Sequence, residues 1–217
     1  MQTLTQAIIE AGLRTKVLHD SQLAFRLAGS AQRRYNLVNR ALAAGELVRL
    51  KRGCYVLHPN LSGIQVHGFV VAQHLHPGSF VSFETALAWH GWIPEAVYLV
   101  ASVVPGRRKS AYSVPLWGEF QFVPLAQRLG YGLEGVHRHE LSGGIGLVAS
   151  PLRALLDLIC WRKIDPEAVV KFIEGLRLEP EWSSALRGDD WVRLRQVYQH
   201  RRMGEVIDHI TKAFVPD

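Results

Sequence analysis

The side chains best suited to binding a ligand lie in the first quarter of the chain, on a predicted helix and the predicted hairpin after it. Arginine can pair with guanine in the major groove of DNA, and asparagine or glutamine can pair with adenine. Basic side chains on a neighbouring turn can contact phosphates instead. The candidate DNA-binding residues are Gln32, Arg33, Arg34, Asn36, Arg40, Arg49, Lys51 and Arg52.

The excess positive charge of the protein is confined to the same segment. The chain of 217 residues has a formal net charge of +6. Residues 1–57 contain nine Lys or Arg and three Asp or Glu, whereas the rest contains 16 residues of each sign. A basic module joined to a neutral body is typical of a protein that binds a polyanion. A basic surface that is merely well solvated would have the same composition.

Hydrophobic periodicity predicts three short helices that would position these side chains. The first ends at Gly12, Asp20 is the expected N-cap of the second, and Ser30 and Gly45 bound the third. The apolar positions of the third helix, which should pack on the first two helices, are Tyr35, Val38, Ala41 and Leu42.

A basic β-hairpin is predicted directly after the third helix. Val48 and Leu50 alternate with Arg49 and Lys51, which is the pattern of a half-buried strand. Lys51-Arg52-Gly53 then forms a basic turn before a second β-rich run. Three helices followed by a basic hairpin is the order of a winged helix-turn-helix. Duplex DNA is the expected ligand, because the major groove of A-form RNA is too narrow for a helix to read. RNA is the alternative.

The remainder of the chain predicts a second domain. His58-Pro59-Asn60-Leu61-Ser62-Gly63 is rich in turn formers, so we place the winged helix at residues 1–60 and an α+β domain at residues 64–217. Strands are expected at residues 80–83, 97–104, 120–123 and 145–148. Helices are expected at residues 65–76, 84–90, from 151, and at 167–176, 190–200 and 204–214. The predicted fold class is therefore α+β, with a small sheet and C-terminal helices, and about 150 residues can fold alone.

Metal binding has weaker support in the sequence. His67, His74 and His76 lie near one predicted helix end, but no Cys or carboxylate completes a ligand set. His137-Arg138-His139-Glu140 is a similar candidate, and we discount it to a similar degree. We therefore predict no bound metal.

Catalysis is also weakly supported. A metal-dependent nuclease needs several converging carboxylates, and Glu84 with Glu119 is the best available pair. The glycines at residues 143–146 lack the Lys-Ser/Thr of a phosphate loop and predict a hairpin turn instead. Ser82 and Ser150 lack the surroundings of a nucleophile elbow. We predict no catalytic residue and no cofactor.

Two further features bear on partners and location. Arg107-Arg108-Lys109 is the one basic cluster of the body, and it is either a second phosphate contact or, as the neutral body favours, a solvated turn. Cys54 and Cys160 form no disulfide framework, and no apolar run is long enough to span a membrane. We therefore expect a cytoplasmic protein without a membrane partner, although one disulfide stays formally possible.

Four segments, in order along residues 3–165, carry a resemblance to a known family. They read LVRLKRGCY at 47–55, FVSFETALAWHG at 80–91, PGRR at 105–108 and SPLRALLD at 150–157. In this order they resemble the AbiEi antitoxins of type IV (abortive infection) toxin–antitoxin systems. The resemblance implies a winged helix that binds repeats in its own promoter, and a C-terminal domain that counters a nucleotidyltransferase toxin.

The residues and the resemblance together predict a DNA-binding transcriptional regulator that acts as an antitoxin, not an enzyme. Whether it binds the toxin directly, and whether it dimerises on DNA, stay open. One alternative is a nucleic-acid-processing enzyme whose body carries the active site. Another is a stand-alone repressor whose body senses a ligand or dimerises.

Overall fold

The protein has an α+β fold, as predicted, in a computed structural model that describes residues 3–27 and 29–215. Ala28, expected in the apolar stripe of the second helix, lies outside the described residues. The N-terminal part consists of α1 (Leu4–Glu10), β1 (Leu18–His19), α2 (Asp20–Arg26), α3 (Ala31–Ala43), β2 (Leu47–Lys51) and β3 (Cys54–Leu57). Its sheet is antiparallel in the order β1-β3-β2, which is a winged-helix arrangement with one short strand, β1, that the sequence pattern did not predict.

Local sequence sets the ends of α3. The Ser30 hydroxyl accepts a hydrogen bond from the backbone N–H of Arg33 at 3.3 Å, as expected of an N-cap. Gly45 follows the helix with φ +68°, a conformation that glycine adopts without steric cost. The start of α2 differs from the prediction by one residue, because His19 occupies the N-cap position and Asp20 lies in the first turn.

The body is built around a six-stranded mixed sheet in the order β6-β7-β5-β4-β9-β8. Its elements are α4 (Pro59–Ser62), α5 (Gly68–Leu75), β4 (Phe80–Val81), α6 (Phe83–Trp89), β5 (Val100–Val104), β6 (Ser110–Val114), β7 (Gly118–Pro124), β8 (Val136–Leu141), β9 (Gly144–Ala149), α7 (Pro151–Arg162), α8 (Val169–Gly175), α9 (Asp189–Leu194) and α10 (Arg201–Phe214). Strands β5 and β7 are parallel, as are β4 and β9, and the other pairs are antiparallel. No helix within the described ranges is long and apolar enough to cross a membrane.

Both edge strands of this sheet, β6 and β8, were not predicted from the sequence. Each is rich in polar residues, and edge position tolerates such a strand because only one side must pair. The hairpin predicted at the glycine cluster is confirmed: β8 and β9 pair antiparallel around Gly143, whose φ is +94°. A Cβ at Gly143 would lie 2.6 Å from the Val66 side chain, so the turn fits closely against the segment before α5.

Alternation along β2 and β3 buries both faces of the small sheet. Val48, Leu50 and Val56 belong to an apolar cluster with α5 and the larger sheet, whereas Leu47 and Leu57 pack with the helices of the winged helix. Successive side chains of a strand point to opposite faces, so one strand serves two cores.

The larger sheet is covered on both faces in the same way. Phe120 and Phe122 lie in the cluster shared with the small sheet, whereas Ala101, Val103 and Val123 lie in the cluster formed with the helices α6, α7 and α10. The winged helix and the body therefore share an apolar core through α5. The division at residues 60–64 remains a prediction, but the packing crosses it.

A buried polar network explains the segment Ser150–Asp157. Arg153 donates from Nε to Asp157 at 2.9 Å and from a terminal nitrogen to the carbonyl of Glu134 at 2.6 Å. Asp157 also accepts from the Ser82 hydroxyl at 2.7 Å and from the Tyr198 hydroxyl at 2.8 Å. Burial, and then the Asp157 charge, raises the pKa of Tyr198 well above its ordinary value, so the phenol remains a donor. These residues join α7 to β4 and to the C-terminal part.

Candidate nucleic-acid interface

The exposed face of α3 carries the polar side chains predicted to read bases. Gln32, Arg33, Asn36 and Arg40 are all exposed. The Gln32 amide nitrogen donates to the Asn36 side-chain oxygen at 3.1 Å, and the Asn36 nitrogen and the Gln32 oxygen are left to face solvent. A donor and an acceptor held side by side match the edge that adenine presents in the major groove.

Tyr35 contradicts its predicted place in the core. Its side chain is 63% exposed, whereas Val38 and Ala41 are buried as expected. Tyr35 and Asn39 are one turn apart at the rim of the polar face. The helices leave a groove at this rim, so the Tyr35 ring is not covered by a neighbouring helix. This groove, of about 390 Å³, runs between α2, α3 and β2, and its polar lining includes Ser21 and Arg49.

Tyr35, Asn39 and Ser21 are interface candidates that sequence reasoning missed. Spacing of four residues places Tyr35 and Asn39 together, and spacing of three places Asn39 beside Asn36, so the helix period alone could have suggested them. Ser21 on α2 joins them only through the packing of α2 against α3, which no local pattern reports.

Arg34 holds the turn between α2 and α3. It is half-buried, and one of its terminal nitrogens donates to the carbonyl of Gly29 at 2.9 Å. The side chain also lines the groove. Its guanidinium is therefore partly engaged by the backbone, whereas Arg33 is exposed.

The wing is a tight two-residue turn. Lys51 pairs with Cys54, so Arg52 and Gly53 form the connection, and Gly53 has φ +74°. A Cβ at Gly53 would lie 2.8 Å from the Asp20 carboxylate, so a larger residue would have to displace that side chain. Arg52 is exposed at the tip, where it can reach a phosphate.

Arg49 lies on the face of β2 that is turned to the helices, where it lines the groove beside α3. It is exposed, and its guanidinium lies 6.0 Å from the ring centroid of Tyr55, the residue opposite it in the sheet. Burial, and then the Asp20 carboxylate, raises the pKa of Tyr55. Arg49 is thus positioned to extend the basic surface from the wing to the groove.

Lys51 is directed into the protein rather than toward solvent. Its ammonium donates at 2.7 Å to the carbonyl of Leu75, at the end of α5, and the side chain is half-buried. The last carbonyls of a helix lack intrahelical partners, so a lysine is well placed there. The prediction that Lys51 contacts phosphate is therefore not supported by its geometry.

A histidine pair lies beside Lys51 on the same boundary. His19 Nε2 and His74 Nδ1 are 2.9 Å apart and hydrogen-bonded, which joins the winged helix to α5. Burial lowers the pKa of both, and the Lys51 charge lowers them further. Both rings are therefore neutral at pH 7.

The three histidines considered as metal ligands do not converge. His74 pairs with His19, His67 packs against Phe69 and Trp89, and His76 packs against Phe122. In the described part of the chain, no three His, Cys, Asp or Glu are placed to hold a metal ion.

The two carboxylates considered for a nuclease site, Glu84 and Glu119, have different local environments. Glu84 forms an ion pair with Arg162 of α7, and Glu119 is exposed at the start of β7. His139 is half-buried against Trp89, whereas His137, two residues earlier on the same face of β8, is exposed. None of these groups is joined to another of the set by a hydrogen bond within residues 3–27 and 29–215.

Both cysteines are free and buried, and they lie in different apolar clusters. Burial raises the pKa of Cys54 and of Cys160 to about 11, so both thiols are protonated and unreactive at neutral pH.

No family model matches the chain, and no curated protein matches it. Among solved structures, the chain is similar to the RV2827C protein from Mycobacterium tuberculosis, with 16% identity and a TM-score of 0.45 over 97% of this chain and 78% of that protein. A likeness this distant carries no argument about function.

Proposed function

We propose that the protein is a DNA-binding transcriptional regulator that represses its own operon and acts as an AbiEi-like antitoxin against a nucleotidyltransferase toxin. The observation that carries the DNA-binding part is the face of α3, where the Gln32–Asn36 pair is flanked by exposed arginines. The antitoxin part depends on the resemblance of the four segments. A protein with this role binds rather than catalyses, and it works in the cytoplasm.

The geometry supports insertion of α3 into the major groove. Gln32 and Asn36 would face base edges, whereas Arg52 at the wing and Arg49 on β2 would contact the phosphates alongside. None of the salt bridges within the described residues uses Arg33, Arg40, Arg49 or Arg52, so their charges are available to DNA.

A DNase footprint on the region upstream of the protein's own gene tests this proposal. We expect protection of repeated sites, and Asn36→Ala should weaken specific binding by about 1–3 kcal/mol while nonspecific binding changes little. Asn60→Ala is the matched control, because Asn60 is exposed on α4, outside the interface. Absence of a footprint, or equal effects of the two variants, would refute the role of α3.

A cellular assay tests the antitoxin part separately. The full chain is co-expressed with the neighbouring nucleotidyltransferase, and growth is recorded beside a promoter reporter. Asn36→Ala should lose repression of the reporter and still restore growth, because the substituted side chain lies on the DNA-facing surface alone. Failure of the unchanged chain to restore growth would remove the antitoxin role and favour a stand-alone repressor.

A further inference from the structure

A pocket of about 630 Å³ lies at the carboxyl ends of the parallel strands β5 and β7, in the body and away from α3. Val104 and Pro124 end these strands and form part of its wall. Ligands commonly bind at the carboxyl ends of parallel strands, and a volume of several hundred Å³ is the size of a small-molecule site.

The pocket presents two exposed guanidiniums to a ligand. Arg107 and Arg128 line it, and neither guanidinium takes part in a salt bridge or a side-chain hydrogen bond within residues 3–27 and 29–215.

The lining carries no opposing charge. The described residues around the pocket include no Asp or Glu, although the body as a whole is neutral. Two unpaired guanidiniums without a neighbouring carboxylate favour an anion, and planar guanidinium groups match the oxygens of a phosphate.

The wall is held in place by the C-terminal part of the chain. Arg128 donates its backbone N–H to the carbonyl of Val197 at 2.8 Å, and the Gln199 side chain donates to the carbonyl of Gln127 at 2.7 Å. The segment that carries Arg128 is therefore fixed at two main-chain groups, the carbonyl of Gln127 and the N–H of Arg128. Leu125, Leu129 and Pro105 add an apolar rim, which suits the uncharged part of a ligand.

We propose that this pocket binds a small phosphorylated molecule of nucleotide size, with Arg107 and Arg128 on the phosphate. The site is separate from the proposed DNA interface and does not depend on it. It would make the protein a regulator that senses a phosphorylated metabolite through its body.

Calorimetry on the full chain with three probes tests the proposal: inorganic pyrophosphate, adenosine monophosphate and adenosine. The first two should bind and adenosine should not, because it lacks the phosphate. Arg107→Ala and Arg128→Ala should each weaken binding at least about tenfold, since each removes a charged hydrogen bond.

Arg138→Ala is the matched control, because Arg138 is an exposed arginine on β8 that does not line the pocket. It should leave binding of both phosphorylated probes unchanged. Failure of both to bind, equal binding of adenosine, or an equal loss in Arg138→Ala would each overturn the proposal. Weaker DNA binding by Arg107→Ala, in a protein that binds neither probe, would likewise overturn it and assign this wall to DNA.

Discussion

Replacing Arg52 by alanine should reduce the salt dependence of DNA binding, whereas replacing its neighbour Lys51 should leave that dependence unchanged. Each phosphate that the protein neutralises releases bound counterions, so the slope of log affinity against log salt counts the cations that contact DNA. Arg52 is exposed at the wing tip, but the Lys51 ammonium donates to the carbonyl of Leu75.

The size of the effect follows from the exposed cations of the interface. Half-buried Arg34 and Lys51 each donate to a backbone carbonyl and are not counted, which leaves four exposed guanidiniums: Arg33, Arg40, Arg49 and Arg52. At roughly 0.9 per phosphate, the expected slope is about −3.6, which is an affinity loss of about 150-fold between about 50 and 200 mM salt. Arg52→Ala should have a slope of about −2.7 and lose about 40-fold over the same range.

Fluorescence anisotropy with a labelled duplex at four or more salt concentrations measures these slopes. Arg138→Ala, an exposed arginine on β8, is the control and should match the unchanged protein. Thermal melting separates a folding defect in Lys51→Ala from a loss of DNA contact. A smaller slope in Lys51→Ala with an unchanged slope in Arg52→Ala would refute the assignment of the two side chains.

Three further predictions concern stability. Asp157→Ala should lower the free energy of unfolding, measured in urea, by about 3–5 kcal/mol, because it leaves Arg153 buried and unpaired. The double variant Arg153→Met/Asp157→Leu should lose less. An equal or larger loss in the double variant would contradict this explanation. Melting temperature should fall as pH drops below the ordinary histidine pKa of 6.5, because the unfolded chain then binds more protons than the folded pair His19–His74. His74→Gln should flatten that pH dependence, whereas His137→Gln, at an exposed histidine of β8, should not. A fragment of residues 64–217 should melt at a lower temperature than the full chain and should bind a hydrophobic dye, because it loses the small sheet from the shared core. Melting at the temperature of the full chain would disprove the shared core.

The parts of the fold that local chemistry determines could be predicted from the sequence. Ser30 and Gly45 bound α3 because a hydroxyl satisfies the first N–H groups and glycine adopts the left-handed conformation after the last turn. The exposed Arg49 and the buried Val48 and Leu50 of β2 follow from strand alternation.

The parts that depend on distant neighbours could not be predicted. Lys51 has the pattern of a solvent-facing wing residue, and only the position of α5 brings the Leu75 carbonyl to its ammonium. Tyr35 has the spacing of a core residue, but α2 leaves a groove where its ring lies. Strands β6 and β8 carry polar sequences whose pairing is supplied by β7 and β9.

The same packing determines how the two proposed roles can be separated experimentally. The small sheet has one face against α1–α3 and the other against α5 and the larger sheet, so it belongs to both cores at once. Cutting the chain near residue 62 exposes Val48, Leu50 and Val56 on one product and the facing surface of α5 on the other, and both products then lose stability. A fragment that fails to rescue growth would therefore report a folding defect rather than the location of the antitoxin activity. Substitutions at exposed side chains such as Asn36 avoid this confusion, because they change the DNA-facing surface and leave the shared core intact.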